Sequence, residues 1–143
     1  MSMLIAAFMF IALLAVSTAH FLWSIGKTWP IRGEKLLAQT VVGTAGIEHM
    51  PPRLASFGVA VFILLAGIAA LALADHDGNG LWLTIAGFVF ALLFLARGGI
   101  GYTAWWANQT PEPNFRLNDR RVYSPMCLFV GAGFLALAIM RLL

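Results

Sequence analysis

The sequence predicts an all-α integral membrane protein with four transmembrane helices and an interfacial helix in its first long connection. Three observations predict it. The composition is 61% hydrophobic and only 10% charged, against about 25% charged in a typical soluble domain. A soluble fold of 143 residues could not hide that much apolar surface, whereas a bilayer is itself an apolar solvent. Apolar runs of about 20 residues recur along the chain, the length that crosses a hydrocarbon core. The charges fall almost wholly between those runs.

The chain reads as a single transmembrane domain over residues 1–143, with spans at about 3–25, 54–74, 81–107 and 123–143. The first run contains Ser17-Thr18-Ala19, a faint likeness to a signal-peptidase site. No basic residue precedes it, so the segment is expected to be retained as a helix. Trp29-Pro30 breaks it. Residues 33–49 then place Leu37, Val41 and Ala45 at i, i+4 and i+8, with Glu34 and Lys35 at one end. That spacing predicts a short amphipathic helix in the interface. Gly43 and Gly46 weaken it, and a broken or re-entrant segment is the alternative. Pro51-Pro52 ends the segment and resets the chain.

The second run carries no charge, and Ala66, Ala70 and Ala74 form a small-residue ridge for close helix approach. Residues 75–80 read as a tight hairpin whose Asp and Asn cap the next helix. They also mimic the start of a calcium loop, but Ala86 stands where the bidentate Glu belongs. The third run begins near Trp82 and passes through Arg97, the only basic residue between Arg53 and Arg116. Arg97 lies about 24 Å along that helix, near the far edge of the hydrocarbon, where its charge can snorkel outward. Trp105-Trp106 suit an aromatic belt. Residues 108–122 read as a polar connection, and Ser124 and Pro125 as cap and first turn of the last helix.

Charge sets the expected topology. The connections at 26–53 and 97–122 carry eight of the nine Lys and Arg. The positive-inside rule puts both in the cytoplasm, with both termini outside. The nine basic residues form no dense stripe, so nucleic acid is not an expected partner. A single cysteine, Cys127, excludes an intrachain disulfide.

A polar layer forms at the cytoplasmic end. His20, Trp23, Glu48, His49, Arg53, Arg97, Tyr102, Asp119 and Tyr123 all fall at that depth. Ionisable groups there are costly and usually pair or line a cavity. Glu48 or Asp119 is the expected partner of Arg97. His20, Glu48 and His49 carry metal-donor atoms, but adjacent Glu48-His49 cannot both face one way and no His-x-x-x-His spacing occurs. No metal, no cofactor and no catalytic residue are assigned. Gly98, Gly99 and Gly101 are not a phosphate loop, because no strand precedes them; they suit close packing beside Arg97.

The run Phe115-Arg116-Leu117-Asn118-Asp119-Arg120-Arg121-Val122-Tyr123-Ser124-Pro125-Met126-Cys127-Leu128 resembles the hallmark of a bacterial family of small four-span membrane proteins, the domain-of-unknown-function 3995 family. The family pattern is Phe, then Asp, then Tyr-Ser-Pro-Leu-Cys-Leu; Met126 replaces a Leu here. His20-Phe21-Leu22-Trp23-Ser24-Ile25-Gly26 is similar to the family's His-x-x-Trp-x-x-Gly, and Arg97-Gly98-Gly99 also matches. The resemblance covers the whole chain. It implies four membrane helices and no activity.

The function expected from these residues is a non-catalytic module that binds a lipid or small amphiphile, or an accessory partner, at the polar layer. Membrane lipids, a lipid-like ligand, and a second copy or another membrane protein are the expected partners. The alternative is a membrane-embedded enzyme acting on an apolar substrate through His20, Tyr123 and Glu48 as acid and base. Transport ranks lower, because the span centres lack ionisable residues.

Overall fold

A computed structural model describes residues 1–75 and 80–143. The hairpin and calcium-mimic reading of residues 75–80 lies largely outside the described residues. Among the described residues, seven α-helices and one π-helical turn follow in order: α1 Ser2–Ser24, α2 Glu34–Val41, α3 Arg53–Ala74, α4 Gly80–Ile100, α5 Ala104–Gln109, α6 Pro113–Asn118, the π turn Asp119–Tyr123, and α7 Ser124–Met140. Helices α1, α3 and α4, and the continuous stretch Pro113–Met140, are long and apolar enough to cross a membrane. This is the architecture of a multi-pass membrane protein.

The long helices associate as two antiparallel pairs, α1 with α3 and α4 with α7. Small residues make each pair close. The Ala66, Ala70 and Ala74 ridge is buried, and Ser17 Oγ donates to the Ala60 carbonyl at 2.7 Å. Between α4 and α7, Gly98 faces Leu128 and Gly131 faces Leu95 so closely that a Cβ at either glycine would collide. The pairs join each other through a core of Ala6, Met9, Leu73, Leu83, Phe134 and Leu137. That core sits toward the end carrying the chain termini. There Ser2 Oγ donates to the Ala74 carbonyl, and Arg141 Nη1 donates to the Asp75 carbonyl at 2.6 Å.

The opposite end is capped by the two long connections. Helix α1 stops in a Schellman turn: Gly26 N–H bonds Trp23 O and Lys27 N–H bonds Leu22 O, with Gly26 at φ +84°. The interfacial helix is shorter than the 33–49 expected. It ends at Val41 because Gly43 turns the chain at φ +78°, and Ala45 lies beyond it. Leu37 and Ala38 are buried, and α2 packs on α6. Its apolar face therefore serves the protein interior.

Two helix boundaries differ from the sequence expectation. The third span stops at Ile100 instead of continuing to Ala107. Three glycines between 98 and 101 weaken the helix, and Thr103 then starts α5 by accepting the Trp106 N–H at its side chain. The last helix does not begin at Tyr123. It runs unbroken from Pro113 through the π turn, and the Ser124 hydroxyl donates to Asp119. Pro125 lacks the N–H that would continue the π pattern to Arg120 O, and Tyr102 Oη donates to that carbonyl at 3.2 Å.

Candidate functional site

The π turn decides what Asp119 meets. In a regular α-helix, residues five apart differ in direction by about 140°. Here Ser124 N–H bonds Asp119 O across the wider turn, and Ser124 Oγ donates to Asp119 Oδ1 at 3.2 Å. Such single-turn π insertions recur at functional sites. Asp119 is 0% exposed. Its carboxylate accepts from two further donors: Arg97 Nη2 on Oδ1 at 2.8 Å and Trp106 Nε1 on Oδ2 at 3.0 Å. The Trp106 ring also lies under the guanidinium, 4.9 Å from Cζ. Asp119, wholly out of water, is thus held by one cation and two neutral donors, the condition under which a buried charge is tolerable.

Gly101 makes this approach possible. A Cβ there would collide with Ser124 Oγ and lie 3.0 Å from Asp119 Oδ2. Gly43 does the same for the next layer, since a Cβ there would run into the Phe115 ring. Phe115 in turn lies beside Trp106 and Tyr123. Tyr123 Oη donates to Thr40 O at 3.2 Å, and Glu112 N–H donates to Gly43 O. These contacts clamp α2 onto α6 and the π turn.

Beside the cluster is a cavity of about 710 Å³. It lies between the two helix pairs, at the end away from the shared core. Its walls are largely apolar and aromatic, including Trp23, Phe62, Phe94 and Phe115. Arg97, His20, Tyr123 and Cys127 supply its polar side chains. His20 is oriented by a 2.9 Å hydrogen bond between Nδ1 and Val16 O, and its ring is tilted against Trp23, 4.6 Å away. Trp23 Nε1 donates to Trp29 O at 2.7 Å, which ties the first connection to the end of α1 beside the cavity. His20 and Trp23 also border a smaller cavity of about 230 Å³ toward Pro51 and Ser56.

The expected polar layer thus divides. Arg97, His20, Trp23 and Tyr123 line the cavity, and Asp119 stands behind Arg97. Tyr102 is exposed and bonds the π turn from outside. Glu48 and His49 lie on the outer surface, Glu48 in an ion pair with Lys35 at 2.9 Å and His49 Nδ1 beside Glu34 Oε2 at 3.5 Å. The hydrogen bond from Lys35 holds the Glu48 carboxyl below the usual carboxylate range and raises the Lys35 ammonium. The Met50 N–H, then His49, hold Glu34 low. Arg53 is exposed, its guanidinium over Gly26. Of the two expected partners of Arg97, Asp119 is the one that pairs with it. Among the described residues, no three His, Cys, Asp or Glu side chains gather into a metal-binding group.

Two residues of the cluster escape a reading of the sequence. Trp106 reads as a belt residue when α4 is carried through to 107, and Ser124 reads as a cap when α7 starts at 123. The hallmark run itself contains the signal, because it holds Asp119 and Tyr123-Ser124-Pro125 together.

Comparison with known proteins gives one match. The family described as "Protein of unknown function (DUF3995)" matches over residues 13–134. No curated protein and no solved structure matches the chain.

Proposed function

The chain belongs to the DUF3995 family of unknown function, and we propose that it is a non-catalytic membrane module that holds one membrane-dissolved amphiphile between its two helix pairs. The single observation behind this reading is the cavity itself. Its volume of about 710 Å³ falls within the 300–1,000 Å³ range of sites that enclose drug-sized ligands. Apolar and aromatic walls suit a hydrocarbon chain, and Arg97 in the lining is the charged group a headgroup would meet. The acid–base alternative has less support. Tyr123 Oη is engaged with Thr40 O, Glu48 with Lys35, and His20 Nδ1 with its own helix, so the three groups belong to separate networks.

Filling the cavity tests this. Ala19 and Cys127 are small residues on opposite walls. Ala19→Phe and Cys127→Phe are each expected to abolish energy transfer from Trp23 and Trp29 to a conjugated-polyene fatty alcohol. Circular dichroism should show unchanged helix content. Undiminished transfer in both folded variants would refute the reading.

The same proposal places the protein in a bacterial inner membrane with the 26–53 and 101–122 connections in the cytoplasm and both termini outside. Its support is the eight Lys and Arg at that end against one at the other. A periplasm-active reporter is expected to be active when fused after Leu143 and inactive when inserted after Gln109. The reverse pattern would invert the topology.

A further inference from the structure

We propose that the occupant is a single-chain amphiphile with an anionic, carboxylate-type headgroup, and that Arg97 receives it. This rests on the amphiphile-binding reading and adds the chemistry of the ligand. Three observations carry it.

The first is which charges reach the cavity. Arg97 lines it, and its side chain keeps 34% of its exposure while that of its counter-ion keeps 0%. Asp119 therefore stays behind the wall, its two oxygens occupied by Arg97, Ser124 and Trp106. No carboxylate is among the lining residues. A ligand entering the cavity meets the cationic side of the pair and not the anionic side. The guanidinium keeps its orientation because Nη2 is fixed by Asp119 and one face rests on Trp106. Nη1 is buried with no hydrogen-bond partner among the described residues, and Arg is well matched to a carboxylate.

The second is the field at this end of the bundle. Eight Lys and Arg accompany four carboxylates there, Glu34, Glu48, Glu112 and Asp119. An excess of positive charge beside low-dielectric walls attracts an anion and disfavours a cation.

The third is size. A space of about 710 Å³ suits one drug-sized molecule. A diacyl phospholipid brings a second chain and a bulkier headgroup.

Native mass spectrometry of the full chain in detergent, titrated with oleate, oleyl alcohol, oleylamine and dioleoyl phosphatidic acid, tests the inference. Oleate is expected to bind at least about tenfold more tightly than the alcohol, the size of one charge-assisted hydrogen bond. Oleylamine should bind most weakly, and dioleoyl phosphatidic acid should bind more weakly than oleate. The double variant Arg97→Gln/Asp119→Asn removes both charges together and leaves no stranded carboxylate. It should lose the preference for oleate over oleyl alcohol, a ratio that a purely structural role of Arg97 would leave unchanged. Equal affinity for oleate and the alcohol in the unmodified chain would overturn the headgroup assignment while leaving the cavity reading intact. Equal affinity for the diacyl lipid and oleate would overturn the single-chain assignment. Failure of all four probes to bind would instead remove the amphiphile-binding reading on which the inference stands.

Discussion

Asp119→Ala is expected to destabilise the folded bundle by about 3–5 kcal/mol, the usual cost of removing one partner from a buried ion pair. The carboxylate is 0% exposed, whereas the Arg97 side chain left behind keeps 34% of its exposure, which places the cost toward the lower end of that range. Three donors lose their acceptor at once: Arg97 Nη2, Trp106 Nε1 and Ser124 Oγ. The heaviest penalty is the Arg97 cation, left with the Trp106 face alone. The cluster also joins four pieces of chain, because Arg97 ends α4, Trp106 sits in α5, Asp119 opens the π turn and Ser124 begins α7. Its loss should therefore loosen the whole capped end and leave the core around Phe134 and Met9 in place. Unfolding in mixed micelles, followed by tryptophan fluorescence, gives the equilibrium cost. Hydrogen exchange should show faster exchange over residues 97–124 and unchanged exchange over residues 60–74. Asp119→Leu combined with Arg97→Met should recover much of the stability, since an apolar pair of similar size can replace a buried ion pair. A cost for Asp119→Ala below about 1 kcal/mol, typical of an exposed pair, would mean that the cluster does not support the fold.

The long helices are legible in the sequence because lipid imposes a simple rule. Each must carry about 20 apolar residues, and no tertiary detail is needed to find them. The depth of the polar residues is legible for the same reason, since a helix rises by a fixed increment per residue. Direction around the helix axis is much less so. Glu48 and Asp119 stand at similar depth, and only the folded chain separates them: Glu48 turns outward to Lys35, whereas Asp119 turns inward to Arg97. The inward turn depends on one extra residue per turn between 119 and 123, which a 3.6-residue period cannot represent. Trp106 is hidden by a related effect. It reaches Asp119 only because α4 breaks at Ile100 and α5 restarts at a new angle. The cavity is the least legible feature, since its lining is gathered from both helix pairs and both long connections.

Gly101→Ala should cost about 1–3 kcal/mol, the penalty for forcing a methyl group into filled space, although the change is the smallest possible. The new Cβ would collide with Ser124 Oγ and stand 3.0 Å from Asp119 Oδ2. Neither atom can yield freely, because each is held within the carboxylate cluster, and Ser124 is itself fully buried. The chain must therefore widen between the α4–α5 turn and α7, stretching the Arg97 and Trp106 hydrogen bonds to Asp119. Gly99 provides the control, since it lies in α4 two residues earlier and a Cβ there meets nothing within 4 Å. Gly99→Ala is expected to stabilise by roughly 0.5–1 kcal/mol through helix propensity alone. The opposite signs separate close packing at Gly101 from the general cost of glycine in this segment. A rescue locates the collision: in the Gly101→Ala background, Ser124→Ala removes the oxygen that the methyl group meets. That double variant should be more stable than Gly101→Ala, whereas Ser124→Ala alone should be less stable than the unmodified chain through the lost hydrogen bond to Asp119. Parallel unfolding curves for all four variants measure this reversal of sign. If Ser124→Ala destabilises equally in both backgrounds, the strain lies in the α4–α5 backbone and not against the cluster.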